Sequence, residues 1–121
     1  MRILLVRAIL TFALLGIWPS AIWAHAFPME SEPGAGDTVQ KRPFDVRIRF
    51  DAELEPIFST LRVKNSRGKT VSKGKGHVDP SDPTLLLTHV PSVPPGIYHV
   101  RWNVVSRDGH RTQGDYTFNV R

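Results

Sequence analysis

The chain has 121 residues, no cysteine, and 16 Lys and Arg against 11 Asp and Glu, a net charge of +5. That length suits one domain. The missing cysteine excludes a disulfide framework and any thiolate metal site. The basic residues are spread out, and their densest group, between Lys64 and Lys75, is interleaved with glycines. That pattern fits a solvated hairpin face rather than a nucleic-acid footprint.

Residues 1–24 have the layout of a secretory signal peptide. Arg2 and Arg7 form a positive start, the stretch from Ile9 to Ile17 is mostly apolar, and the segment from Trp18 ends in small residues at Ala24. The apolar run is short for a spanning helix, which is the competing reading as an uncut anchor. A cut after Ala24 makes His25 the first residue. A cut after Ala26 satisfies the small-x-small rule better, through Ala24-His25-Ala26, and removes His25; rules for processing leave both open. The first cut leaves 97 residues with 14 Lys and Arg against 11 acids, a net +3. A domain of that size can fold alone on a modest core.

From His25 to Pro33 the chain reads as a short extended segment, closed by the loop Pro33-Gly34-Ala35-Gly36-Asp37. Val46-Arg47-Ile48-Arg49-Phe50 alternates as a half-buried strand does. The segment from Asp51 to Pro56 is expected to be a turn or bulge. Leu61 and Val63 continue the alternation, Asn65-Ser66-Arg67-Gly68 reads as a hairpin turn, and Thr70 to Ser72 as the return strand. From Gly74 to Pro83 a loop is expected, with Asp79, Asp82 and Pro83 as turn formers. Thr84 to Thr88 is a short apolar strand, and Pro91 to Gly96 a turn-rich connection.

The clearest strand runs from Ile97 to Val105. Its alternation points Tyr98, Val100, Trp102 and Val104 inward and His99, Arg101 and Asn103 outward. Ser106 to Gly109 turns the chain, and Tyr116, Phe118 and Val120 bury the last strand. There is no helical period, internal repeat or second domain. Six or seven short strands at regular spacing predict an antiparallel sandwich or barrel.

The chemistry concentrates in Ser106-Arg107-Asp108-Gly109-His110. Side chains two apart in an extended chain share a face, so Asp108 and His110 could grip one ion or orient each other. A free His25 would add an α-amine and an imidazole, which lose their protons near about pH 8 and 6.5. Such a nitrogen-rich, thiolate-free set suits copper(II) best, with zinc second because of its tetrahedral preference. The bland alternative is a turn-capping Asp108 and a solvated His110. His77, His89 and His99 are expected to face solvent.

The opening His25-Ala26-Phe27-Pro28-Met29-Glu30-Ser31-Glu32-Pro33 resembles that of the CopC family of periplasmic copper-binding proteins. The stretch from Phe50 to Ser59 is similar to that family's next motif, and Val78-Asp79-Pro80 with Asp82-Pro83-Thr84-Leu85 to its central loop. Pro94-Pro95-Gly96-Ile97-Tyr98, Val100-Arg101-Trp102, Asp108-Gly109-His110 and Gly114-Asp115-Tyr116-Thr117-Phe118 resemble its C-terminal signature. The resemblance implies an Ig-like Greek-key β-sandwich of about seven strands spanning 25–121, in the periplasm, carrying or sequestering one copper(II) ion without catalysis. It implies His25, Asp108 and His110 as the metal residues, and it favours the cut after Ala24. It also implies a CopD-type membrane copper transporter as a separate partner chain, and the protein itself is expected to be a monomer.

Two departures stand out. There is no methionine-rich loop for copper(I). Where some members place a glutamate near copper(II), this chain has Ala52, with Glu53 one residue on and therefore on the opposite strand face. Two other functions compete. An N-terminal His with a second His also forms the histidine brace of lytic polysaccharide monooxygenases. A metal-free Ig-like adhesion or chaperone module would leave the positions of His25 and His110 without a purpose.

Overall fold

The structure is a computed structural model that describes residues 26–121. The signal-peptide reading of 1–24, and His25 itself, lie outside the described residues. Eight strands run in chain order: β1 (Pro28–Glu32), β2 (Thr38–Val39), β3 (Phe44–Phe50), β4 (Thr60–Lys64), β5 (His77–Asp79), β6 (Asp82–Val90), β7 (Gly96–Val105) and β8 (Arg111–Val120). A single 3₁₀ turn, Pro56–Phe58, precedes β4.

The strands form two four-stranded sheets, ordered β1-β3-β6-β5 and β2-β8-β7-β4. The chain changes sheet at every connection from β1 to β5 and again between β6 and β7. This is the connectivity of an Ig-like sandwich. All pairings are antiparallel except β2 with β8, where Thr38 and Val39 run parallel to Asn119 and Val120.

Period-two alternation decides which residues meet between the sheets. Val46, Ile48 and Phe50 of β3 point in, as do Leu61 and Val63 of β4 and Tyr98, Val100, Trp102 and Val104 of β7. Aromatic contacts reinforce the layer. Phe50 meets Trp102 edge-on with centroids 5.3 Å apart, and Phe118 is stacked 5.9 Å from Tyr98. Such pairs add about 0.5–1.5 kcal/mol each beyond area burial. The Tyr98 hydroxyl donates to the Pro94 carbonyl at 2.5 Å, tying the start of β7 to the preceding corner as the tyrosine corner of Ig sandwiches does. Gly114 lies opposite Trp102. A Cβ there would sit 2.5 Å from the indole ring, so only glycine leaves room for it.

Several loop readings are corrected. Thr70 to Ser72 forms no strand: Thr70 makes an isolated bridge to Lys64, and Val71 donates to Val63 before the chain leaves. The Asn65–Gly68 turn does form, with the Asn65 side chain accepting from Arg67 and Lys69. The expected loop from Gly74 to Pro83 contains β5 and the start of β6. Asp79 is the turn former there, its carboxylate accepting from the backbone and hydroxyl of Ser81. Asp82 belongs to β6 and pairs with Arg49, which holds its carboxyl down to about 2.

Candidate metal centre

One end of the sandwich gathers the start of β1, the end of β3, the end of β7 and the start of β8. The connection after β3 is pinned across this end. Leu54, fully buried, donates to Pro83 O and bridges Ser106; Glu55 donates to Val105 O at 2.8 Å; Arg107 donates to Glu53 O at 3.0 Å. The turn from Ser106 to His110 is therefore held from outside as well as by its own hydrogen bonds.

Within that turn Gly109 donates to Ser106 O, and Ser106 donates to His110 O at 2.9 Å. Gly109 has φ +89°, a conformation that favours glycine. Asp108 and His110 therefore meet across a tight turn, not along an extended strand as their spacing suggested. The Asp108 Oδ2 lies 3.1 Å from His110 Nδ1, and Asp108 Oδ1 accepts from the His110 backbone at 3.3 Å. A carboxylate at Nδ1 favours the tautomer with its proton there, which leaves the ring's lone pair on Nε2.

The Ser106 hydroxyl, almost fully buried, donates to Asp108 Oδ1. That bond is the main reason the Asp108 carboxyl sits below the ordinary carboxylate range, helped by the contacts to His110 and opposed by burial. Asp108 is thus held ionised, the state needed either to orient His110 or to contact a cation. The sequence placed Ser106 in this stretch without giving it a role; a Ser two residues before an Asp in a turn was the available signal.

The described chain begins beside this turn. The Ala26 carbonyl accepts from Thr112 Oγ1 at 2.7 Å, although the two residues are 86 positions apart. Ala26 is fully buried. Phe27 and Asp51 exchange hydrogen bonds, the Phe27 amide reaching Asp51 Oδ1 at 2.7 Å and its carbonyl accepting from the Asp51 amide at 3.0 Å. Thr112 is two residues from His110, so the chain at Ala26 is anchored two positions from the candidate ligand. Thr112 is a site-building residue that the sequence reading missed.

Glu53 forms an ion pair with Arg107 at 2.6 Å and so is committed to a neighbour, while Ala52 packs on the core. His77, His89 and His99 are exposed, as expected, and His89 Nδ1 contacts Asp45 at 2.8 Å. Among the described residues no group of three or more His, Asp or Glu side chains gathers to hold a metal ion. A metal at Asp108 and His110 therefore needs donors from His25 or from solvent.

Residues 29–121 match the CopC domain family. The chain is 37% identical over 117 residues to Protein YobA of Escherichia coli K12, covering 94% of this chain and 90% of that one. It is 32% identical over 123 residues to Copper resistance protein C of Escherichia coli, covering 95% and 96%. It is also similar to the crystal structure of CopC from Methylosinus trichosporium OB3b, with TM-score 0.70 and 34% identity over 79% of this chain and 93% of that one.

Proposed function

Because this chain belongs to the CopC family of copper resistance and transport proteins, we propose that it is a periplasmic, non-catalytic carrier of one copper(II) ion. Export follows from reading 1–24 as a signal peptide cut after Ala24. The copper is cargo. His25 supplies its α-amine and imidazole, His110 supplies Nε2, and Asp108 holds Nδ1 of His110 and lends its negative charge to the ion. Copper(II) favours such nitrogen and oxygen donors, and reduction to copper(I), which favours thiolate and thioether donors, provides a route for release.

The observation that supports this reading best is the Thr112–Ala26 hydrogen bond, since it tethers the residue after His25 beside the turn that carries Asp108 and His110. The chemistry of the donors fits copper(II) better than copper(I), because the region from 25 to 121 contains no cysteine and one methionine, Met29. A CopD-type membrane copper transporter is the proposed partner.

Intact-mass spectrometry of the exported protein, without metal and with one equivalent of copper(II), tests the reading. The expected species begins at His25 and retains one copper. A species beginning at Phe27 that retains copper equally well would overturn the role of His25. Failure of the His25 species to retain copper would overturn the carrier itself.

A further inference from the structure

The two outer faces of the sandwich are charged differently. On the β1-β3-β6-β5 side, cations and anions alternate: Glu30 lies opposite Arg49, Glu32 opposite Arg47, and Arg49 also pairs with Asp82. On the β4-β7-β8 side, Arg62 lies directly opposite Arg101 and Lys64 opposite His99, while Arg111 donates to Asn103. Those three strands carry a single carboxylate, Asp115, opposite Arg101 on its other flank. Among the described residues no ion pair engages Arg62, Lys64, Arg101 or Arg111.

Like charges set directly opposite each other on one sheet face work against the pairing. Here Arg62 and Arg101, with Thr60, Lys64 and Asn103, line a concavity of about 220 Å³. Every one of those side chains can donate a hydrogen bond, and guanidinium groups bind carboxylates in two-pronged geometry. Arg111, at the head of the same face, adjoins His110.

We propose that this face seats an acidic protein surface, whose carboxylates bridge Arg62 and Arg101 and which then lies against the end of the sandwich that carries His110. The link to metal transfer rests on the copper-carrier reading; the docking itself does not. A protein partner fits better than a bilayer. The face itself is lined by polar side chains whose guanidinium pairs match carboxylates, with Ile97 on its strands and Ile57 and Phe58 just before β4 as exposed apolar neighbours that a protein surface can cover.

The test uses the metal-free protein and a hexaglutamate peptide, followed by backbone amide shifts. The expected shifts fall in residues 60–64, 97–103 and 111–115. Substituting R62Q and R101Q together weakens the peptide by at least about tenfold, through loss of charge-assisted hydrogen bonds. Substituting K69Q and K73Q removes the same charge from the hairpin side and changes it by less than about threefold, since distant exposed charges are screened. Thermal unfolding of both variants confirms that each is folded. Equal losses in the two variants, or shifts spread over the whole surface, would overturn the proposal. So would inorganic phosphate producing the same shifts at the same concentration, which would make this a small-anion site. Sedimentation with phosphatidylglycerol vesicles in the absence of any hexaglutamate shift would assign the face to lipid. Copper retention is measured separately, so loss of the carrier reading leaves the peptide result standing, and the reverse.

Discussion

Thr112 Oγ1 donates to the Ala26 carbonyl across 86 residues of sequence, and it does so two positions from His110. The bond fixes where the chain enters the sandwich, so under the proposed copper-carrier reading it helps to set the metal site. Replacing Thr112 by Val keeps the shape and removes the donor, leaving the Ala26 carbonyl of a buried residue without it. The expected cost is about 1 kcal/mol, equivalent to a roughly fivefold loss of copper(II) affinity. Competition against a chelator of known affinity measures it. Unchanged affinity would mean that the entry of the chain is fixed by the Phe27–Asp51 exchange alone.

The hydroxyl of Ser106 holds the Asp108 carboxyl below its ordinary range. Because the folded pKa is depressed, this carboxylate favours the folded state above the ordinary carboxylate pKa, and the contribution fades as pH falls through the folded value. Ser106→Ala should move the Asp108 titration upward. Carboxyl-carbon NMR of the metal-free protein follows it directly. A titration left where it was would show that His110 alone sets the charge.

Burial pushes the Tyr116 hydroxyl up to about 12, and that hydroxyl donates to Pro33 O at 2.8 Å. Between about pH 10 and 12 the unfolded tyrosine has lost its proton while the folded one keeps it. The unfolded state then binds fewer protons, so stability falls as pH rises through this window, by on the order of 2 kcal/mol. Tyr116→Phe should be less stable at neutral pH through the lost hydrogen bond, yet show a flatter alkaline decline. Denaturant midpoints at pH 8 and pH 11 compare the two, and parallel declines would argue against Tyr116 as the source.

Gly114→Ala places a methyl group against the Trp102 ring. Trp102 is packed on Phe50 and has no free direction to yield, so a cost of about 1–3 kcal/mol is expected, with a changed indole environment. Thermal unfolding and tryptophan fluorescence report both. A wild-type melting temperature and spectrum would mean that β8 shifts away at little cost.

The long strands were legible because one face is buried and the other wet. The alternation from Tyr98 to Val104 reads directly from the apolar phase, and the core follows it. Strands β2 and β5 carried no such signal, being two and three residues long in Pro- and Gly-rich stretches. They exist because β8 and β6 offer unpaired backbone at the sheet edge, which is a tertiary cause. Thr70 to Ser72 lies along the open edge of β4, but the Ser72 hydroxyl takes the Val63 amide and Lys73 donates to His89 of the other sheet, so the chain leaves after a single bridge. The pairing of Asp108 with His110 was legible from spacing, though the geometry behind it was not. The turn from Ser106 to Gly109 was expected and forms, but the same-face argument for Asp108 and His110 was drawn from an extended chain, whereas the turn itself brings them together. Thr112 acts through a hydrogen bond to Ala26, 86 residues away, a partner that only the folded sandwich brings to it, whereas the Ser106–Asp108 bond is local to the turn.

Strand β8 lies between β2 and β7, and it follows His110 directly. It is therefore an interior strand, with the two-residue β2 on one flank and the ten-residue β7 on the other. Until it inserts, β7 has an open edge and Ala26 has no Thr112 to hold it. A chain lacking residues 111–120 can neither close this sheet nor hold Ala26 near His110. Insertion of β8 thus closes the sheet and fixes the entry of the chain beside His110 in a single step.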